Sequence, residues 1–199
     1  FVPIQKKVCT KHEILMNYGS FNTKHISYDF VKSSVQSFIN IGVGANSSEN
    51  DFKYLESKLT NENGDYSNFN FDVNYGYKIN KKHQLKLYSS SFFGDRNLSR
   101  TLNAPSNDAY KDINSKNLLE WNFSISPKEM ITSRVSYIFE KFKYFDNNQN
   151  KAIFSDGKIQ RKIAQIDYNN SISRKFKLNA IIGFEAVSAS GSSFASNIR

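Results

Sequence analysis

The chain has 199 residues, of which 39% are hydrophobic and 15% aromatic, with 17 Phe and 11 Tyr. No stretch approaches the roughly 20 apolar residues of a transmembrane helix, and the ring-rich composition favours strands. The net charge of +9 raises nucleic acid as a partner, but the basic residues are scattered beside predicted turns and on polar strand faces. We therefore expect an all-β protein with no nucleic-acid partner.

Nine segments alternate apolar and polar residues with the period of two that is typical of strands. In chain order, the predicted strands are residues 11–18, 24–31, 35–43, 69–79, 84–93, 118–125, 131–142, 161–170 and 176–186. No segment has the pattern of an amphipathic helix.

The fourth predicted strand, residues 69–79, is the most regular. Its apolar residues alternate without a break with Asn, Asp, Gly and Lys. Alternation over about ten residues is the pattern of a strand that crosses a bilayer, with its apolar side towards lipid and its polar side towards a hydrated lumen. We therefore predict that one set of side chains faces lipid: Phe69, Phe71, Val73, Tyr75 and Tyr77.

The predicted connections alternate in length. Short connections span 32–34, 80–83, 126–130 and 171–175, and long connections span 44–68, 94–117 and 144–160. Bacterial outer-membrane barrels have short periplasmic turns and long extracellular loops. The pattern predicts an antiparallel transmembrane β-barrel in the outer membrane of a Gram-negative bacterium.

Nine strands are an odd number, whereas single-chain bacterial barrels have even numbers. The edges of an open sheet would leave backbone groups unpaired in hydrocarbon. We therefore expect residues 1–199 to form one partial barrel domain, completed by further strands or by pairing between copies.

Two long connections contain candidate binding residues. In residues 45–68, Asp51 and Asp65 are candidate calcium ligands, because calcium prefers oxygen donors. Residues 61–65 also fit an ordinary Asn/Gly turn. The next long connection is either a solvated loop or a binding loop for a polar ligand. Its candidate ligand-binding residues are Asp95, Arg96, Arg100, Asp108, Tyr110 and Asp112.

No residue pattern in the sequence indicates a catalytic site. The three histidines are scattered, and no Ser/His/Asp set or pair of carboxylates can be assigned to a pocket from its spacing. We therefore expect no enzyme activity. Calcium is the one cofactor that the sequence suggests.

Two segments carry a family resemblance. The string Tyr-Gly-Ser-Phe-Asn-Thr at residues 18–23 resembles the first barrel hairpin of TonB-dependent outer-membrane receptors. Three strings within residues 95–121 are similar to a loop and the following strand in the cobalamin-receptor-like branch of that family: Asp-Arg-Asn-Leu at 95–98, Asn-Ala-Pro-Ser at 103–106 and Asn-Leu-Leu-Glu-Trp at 117–121.

The resemblance implies energised import of a scarce nutrient, such as cobalamin or an iron–siderophore complex. In such receptors, outer loops bind the nutrient, loop carboxylates can hold calcium, and the TonB complex pulls on a plug inside a 22-stranded barrel. We expect this chain to match the amino-terminal part of the barrel only, with the plug domain and the later strands missing.

Two other hypotheses remain open at this point. The chain could be a small independent porin-like or adhesin-like barrel, which would close on itself. It could also be a soluble secreted β-sandwich that binds carbohydrate, which would not depend on detergent.

Overall fold

The computed structural model describes residues 8–146 and 153–192. Within these ranges the protein is a single sheet of nine antiparallel strands, in the order in which they follow one another along the chain. The strands are β1 (Cys9–Gly19), β2 (Thr23–Ser33), β3 (Ser37–Ser48), β4 (Tyr66–Lys78), β5 (His83–Asn97), β6 (Ala109–Ser126), β7 (Glu129–Asp146), β8 (Ile153–Asn170) and β9 (Leu178–Gly191). The all-β prediction and the nine strands are confirmed. The described ranges contain no helix that is long and apolar enough to cross a membrane.

The alternation in β4 extends across the sheet, because directly opposed residues share a face. Phe69 lies opposite Ala45 and Phe93, and Tyr75 lies opposite Ile39 and Leu87. The five side chains predicted to face lipid therefore share one face with the apolar residues of the neighbouring strands. We call this the apolar face and the opposite one the polar face.

The sheet is a single layer, so its apolar face is not covered by the described residues. Many large side chains on this face are exposed, including Phe184 at 68% and Ile182 at 77%. In the described part of the chain, the buried hydrophobic core reduces to Phe38. The apolar area of this protein is therefore displayed on its surface.

Connections of unequal length lie at opposite ends of the sheet. The turn end carries residues 34–36, 79–82, 127–128 and 171–177, and the loop end carries residues 20–22, 49–65 and 98–108. The predicted difference between the two ends is confirmed for the long connections 49–65 and 98–108, whereas 20–22 is short although it lies at the loop end. The predicted long connection 144–160 is wrong at both sides, because residues 144–146 and 153–160 belong to β7 and β8; residues 147–152 lie outside the described ranges.

The first hairpin, residues 20–22, is a tight turn. The amide of Thr23 donates to the carbonyl of Ser20 at 3.2 Å, while Phe21 and Asn22 have φ values of 58° and 52°. Positive φ at both central residues is the signature of the turn that matches strand twist. The amide of Glu49 donates to the carbonyl of Phe21 at 3.0 Å and so binds this hairpin to the next connection at the loop end.

Two strands begin earlier than the sequence predicts. Strand β6 begins at Ala109 instead of residue 118, and β8 begins at Ile153 instead of residue 161. In these segments Lys111 and Lys158 occupy positions that are apolar elsewhere on the same face, so the period-two pattern disappears. The strands nevertheless continue, because hydrogen bonds to the neighbouring strand do not depend on side-chain polarity.

Strands β1 and β9 form the two edges of the sheet and do not pair with each other. The sheet is therefore open over the described residues.

Candidate functional site

A charged network crosses four strands of the polar face near the turn end. Lys86 on β5 donates to Glu120 Oε1 at 2.8 Å, and Arg134 Nε on β7 donates to Glu120 Oε2 at 2.8 Å. Arg134 Nη1 also donates to Asp167 on β8. We call Lys86, Glu120, Arg134 and Asp167 the turn-end network.

Nearly every group of the turn-end network is buried and paired. Lys86, Glu120 and Asp167 are each 8% exposed. Neighbouring amides complete the hydrogen bonds, since Asn122 donates to Glu120 and Gln165 donates to Asp167. Buried charges are tolerated when opposite charges and hydrogen bonds surround them. The network therefore holds strands β5 to β8 in register and leaves few free groups for a ligand.

A second polar cluster lies on the same face near the loop end. Arg96 on β5 lies over the ring of Tyr110 on β6, with 4.6 Å between its guanidinium carbon and the ring centroid. Its Nη2 atom is 3.8 Å from Asp112 Oδ1. The Tyr110 ring stacks on Phe142 of β7, with 5.9 Å between centroids.

Tyr144 extends this cluster to the adjoining connection, because its hydroxyl donates to Asp108 Oδ2 at 2.8 Å. We call the six residues the loop-end cluster: Arg96, Asp108, Tyr110, Asp112, Phe142 and Tyr144.

The loop-end cluster contains acceptors that the protein does not satisfy. Asp108 Oδ1 and Asp112 Oδ1 are buried atoms without a hydrogen-bond partner. Half of the Arg96 side chain is exposed. Unsatisfied buried acceptors cost free energy, and a ligand with N–H or O–H donors would recover it. The stacked rings add a flat apolar surface beside these groups.

Two glycines make room for the cluster. A Cβ atom on Gly94 would lie 2.5 Å from Asp112 Oδ1, and one on Gly157 would collide with the Phe142 ring. Both glycines lie directly opposite the residue that they accommodate. The close approach of backbone and side chain therefore depends on the absence of a Cβ atom.

The residues predicted to bind ligand lie partly in strands and partly in a connection. Asp95, Arg96, Tyr110 and Asp112 lie in strands β5 and β6, so their assignment to a loop is wrong. Asp95 lies on the apolar face and accepts a hydrogen bond from Lys111 at 2.6 Å. Arg100 and Asp108 lie in the connection 98–108, where Arg100 Nη1 is 3.4 Å from Glu62 Oε2.

Sequence reasoning missed Phe142 and Tyr144. The predicted strand ends at Phe142, and the predicted connection begins at Tyr144. The register places Tyr144 opposite Tyr110 and Phe142 opposite Asp112. Extending the predicted pairing of the two strands would have found them.

The two described long connections pack against each other above the cluster. Asn63 Nδ2 donates to the carbonyls of Leu98 and Asp108 at 2.8 and 2.9 Å, and the Tyr54 hydroxyl donates to the carbonyl of Arg100 at 2.7 Å. A polar cavity of about 480 Å³ opens beside them, within the usual size of ligand pockets. Of the loop-end cluster, Arg96 lines this cavity. The other lining residues include Asn22, Glu49, Asp65, Tyr66, Asp95 and Asn97.

The candidate calcium ligands lie in the first of these connections. Asp51 is exposed, and Asp65 accepts a hydrogen bond from Asn97 at 2.7 Å. Among the described residues, no group of three or more His, Cys, Asp or Glu side chains could hold a metal ion. Calcium binding stays a prediction from the sequence.

The loop-end cluster combines acceptors, a cation and stacked rings beside a polar cavity, and this is the chemistry of a site for a polar ligand. No protein-family model and no curated protein sequence matches this chain.

Proposed function

We propose that this chain forms part of the β-barrel of a TonB-dependent receptor, which imports a scarce nutrient across the outer membrane. The observation that carries the proposal is a sheet of nine consecutive antiparallel strands with one exposed apolar face and one hydrogen-bonded polar face. Such a sheet suits a wall between lipid and a hydrated lumen.

The exposed apolar face favours a membrane environment over an aqueous one. Burial of apolar surface is worth roughly 25 cal/mol per Å², so a face that displays Phe69, Ile182 and Phe184 is unfavourable in water. A β-sandwich would cover this face with a second sheet, whereas the described strands form one sheet. Hydrocarbon covers the face without any further protein.

The polar face supports a hydrated interior. Its central strands carry the turn-end network, whose charges would be expensive against lipid. Strand length also fits, since β1 to β9 have 11 to 18 residues and a tilted strand needs about 9–11 to cross a bilayer. The surplus length of β6, β7 and β8 would extend beyond the membrane at the loop end.

The receptor role adds a ligand and a partner to this wall. The resemblance of residues 18–23 and 95–121 to such receptors supports it, as does the polar ligand chemistry of the loop-end cluster. Cobalamin and iron–siderophore complexes carry amide or hydroxyl groups that suit such acceptors. The TonB complex would act through a plug domain, as that resemblance implies.

One pair of substitutions tests the membrane orientation. Tyr75 lies on the apolar face and its sequence neighbour Asn74 on the polar face, opposite Asn40 and Tyr88. We expect Tyr75→Lys to impair insertion into phosphatidylcholine bilayers by roughly 2–4 kcal/mol, since lysine near the bilayer centre costs that much. Asn74→Lys is the matched control and should insert normally. Equal insertion of both variants would contradict the assigned faces.

Transport is tested in cells that lack the gene. We expect uptake of labelled cobalamin or of an iron–siderophore complex to fall on deletion, to return with the wild-type gene, and to require an intact TonB complex. Uptake that continues without the TonB complex would contradict the receptor role and would indicate passive transport through a barrel.

A further inference from the structure

Four lysines lie together on the loop-end part of the apolar face. This lysine patch consists of Lys111, Lys141, Lys143 and Lys158. The register places Lys111 directly opposite Lys143, and Lys141 directly opposite Lys158. On the same face of β7, Phe139 is the residue that follows Lys141 towards the turn end. The lysine patch therefore borders the aromatic part of the apolar face.

The patch carries more positive than negative charge. Lys111 pairs with Asp95 at 2.6 Å, and Asp156 lies opposite Lys143. Lys158 lies 5.8 Å from the centroid of the Phe139 ring, which attracts its charge only weakly. Like charges directly opposite each other destabilise a sheet. The repulsion between the opposed Lys141 and Lys158 is a cost that an external anion would relieve.

The position of the patch limits the kind of anion. The lysines lie on the side of the sheet that would face lipid, and not on the side of the loop-end cluster. Lys141 and Lys158 lie in the row of Ile113 and Phe93, and Lys111 and Lys143 lie in the next row towards the loop end. In the proposed membrane position, this is the level where the strands leave hydrocarbon. Headgroup phosphates occupy this level of a bilayer, and basic side chains there are attracted to anionic lipid.

We propose that the lysine patch binds the phosphate groups of anionic lipid headgroups in the leaflet next to the loop end. This proposal rests on the proposed membrane-spanning role. Lys141 and Lys158, the opposed pair closest to the aromatic rows, are the main contacts. Bound phosphate between them replaces their mutual repulsion by attraction and anchors β7 and β8 at a fixed depth.

The test measures the affinity of the purified protein in dodecyl maltoside micelles for phosphatidic acid, by thermal-shift titration. The variant Lys141→Gln/Lys158→Gln should bind about thirtyfold more weakly than the wild type. Each basic side chain near an anionic surface raises affinity by about five- to sixfold, and the variant loses two of them. Lys141→Arg/Lys158→Arg keeps both charges and should retain affinity. Lys58→Gln/Lys116→Gln removes the same charge from a connection and from the polar face, and should also retain it.

Three outcomes would overturn the lipid site. Equal affinity of the Lys141→Gln/Lys158→Gln variant and its matched control would show that the lysine patch does not bind the lipid. Equal binding of phosphatidylcholine would show that net negative charge is not recognised, and competition by inorganic phosphate at the same concentration would assign the site to a free anion. Insertion of the wild type into phosphatidylcholine bilayers is measured in parallel. Failure there overturns the membrane role itself, whereas normal insertion without lipid selectivity overturns the lysine patch alone.

Discussion

The turn-end network and the loop-end cluster lie on the same polar face and are built from the same types of side chain, yet they differ in completeness. In the turn-end network, each acidic side chain accepts hydrogen bonds from a cation and an amide. In the loop-end cluster, Asp108 and Asp112 each keep one buried oxygen without a hydrogen-bond partner. The first arrangement is suited to hold strands together and the second to receive a ligand.

This difference shows how one sheet can divide structural and binding tasks along its strands. The turn end has short connections, so its polar groups must satisfy one another across neighbouring strands. The loop end has long connections that pack against each other above the strands, with a cavity beside them. Substitutions at the two places should therefore affect different measurements.

The largest effect is expected in the turn-end network. Glu120→Ala leaves Lys86 and Arg134 without their shared partner, and breaking a buried ion pair typically costs about 3 kcal/mol or more. We expect the free energy of unfolding in detergent micelles to fall by about this amount. Glu13→Ala, in the exposed Lys11–Glu13 pair, is the control and should change it by less than about 1 kcal/mol. Similar losses in both variants would contradict the structural role of the network.

A smaller effect, on binding, is expected in the loop-end cluster. Arg96→Ala removes an exposed cation, so the free energy of unfolding should change by less than about 1 kcal/mol. If the proposed import role is right, the apparent affinity for the nutrient should fall by about tenfold or more, the usual value of a charged hydrogen bond. The control is Lys128→Ala, which removes an exposed cation from a connection at the turn end. An equal loss of affinity in both variants would contradict the assignment of the ligand site to the loop-end cluster.

The smallest effect is expected at a glycine. Gly94→Ala places a methyl group against Asp112 Oδ1 and Phe92, so the carboxylate must move. We expect a loss of about 1 kcal/mol in the free energy of unfolding, typical of mild overpacking, together with weaker nutrient uptake. Gly183→Ala serves as the control, because its Cβ atom would lie 3.7 Å from the nearest atom. An unchanged Gly94→Ala variant would mean that the Asp112 carboxylate has room to shift without consequence.

Much of the fold could be predicted because the signal for a strand is local. The unbroken alternation in residues 69–79 predicts β4, and the observed strand is Tyr66–Lys78. Prediction was wrong where the outward side chains change from apolar to charged, as at Lys111 in β6 and Lys158 in β8. A prediction based on hydrophobic alternation ends the strand where the outward side chains become charged. The backbone continues as a strand beyond that point.

Less of the candidate site could be predicted. Arg96, Tyr110 and Asp112 were identified by their chemistry and proximity in sequence, but they were assigned to a loop together with Asp95 and Arg100. Strand alternation separates Asp95 from Arg96, because adjacent residues in a strand point to opposite faces. Tyr144 joins the site through pairing between β6 and β7, at a separation of 36 residues from Asp108.

The sequence by itself determined the two-faced character of the strands, their number and the unequal lengths of their connections. These properties depend on side chains and turn residues that are close together in the chain. Only the tertiary structure decided which residues meet across the sheet, including the pairing of Lys86 with Glu120 over 34 positions and of Arg134 with Asp167 over 33. The physical reason is that strand register arises from hydrogen bonds between distant segments, and a shift of one residue would exchange the two faces.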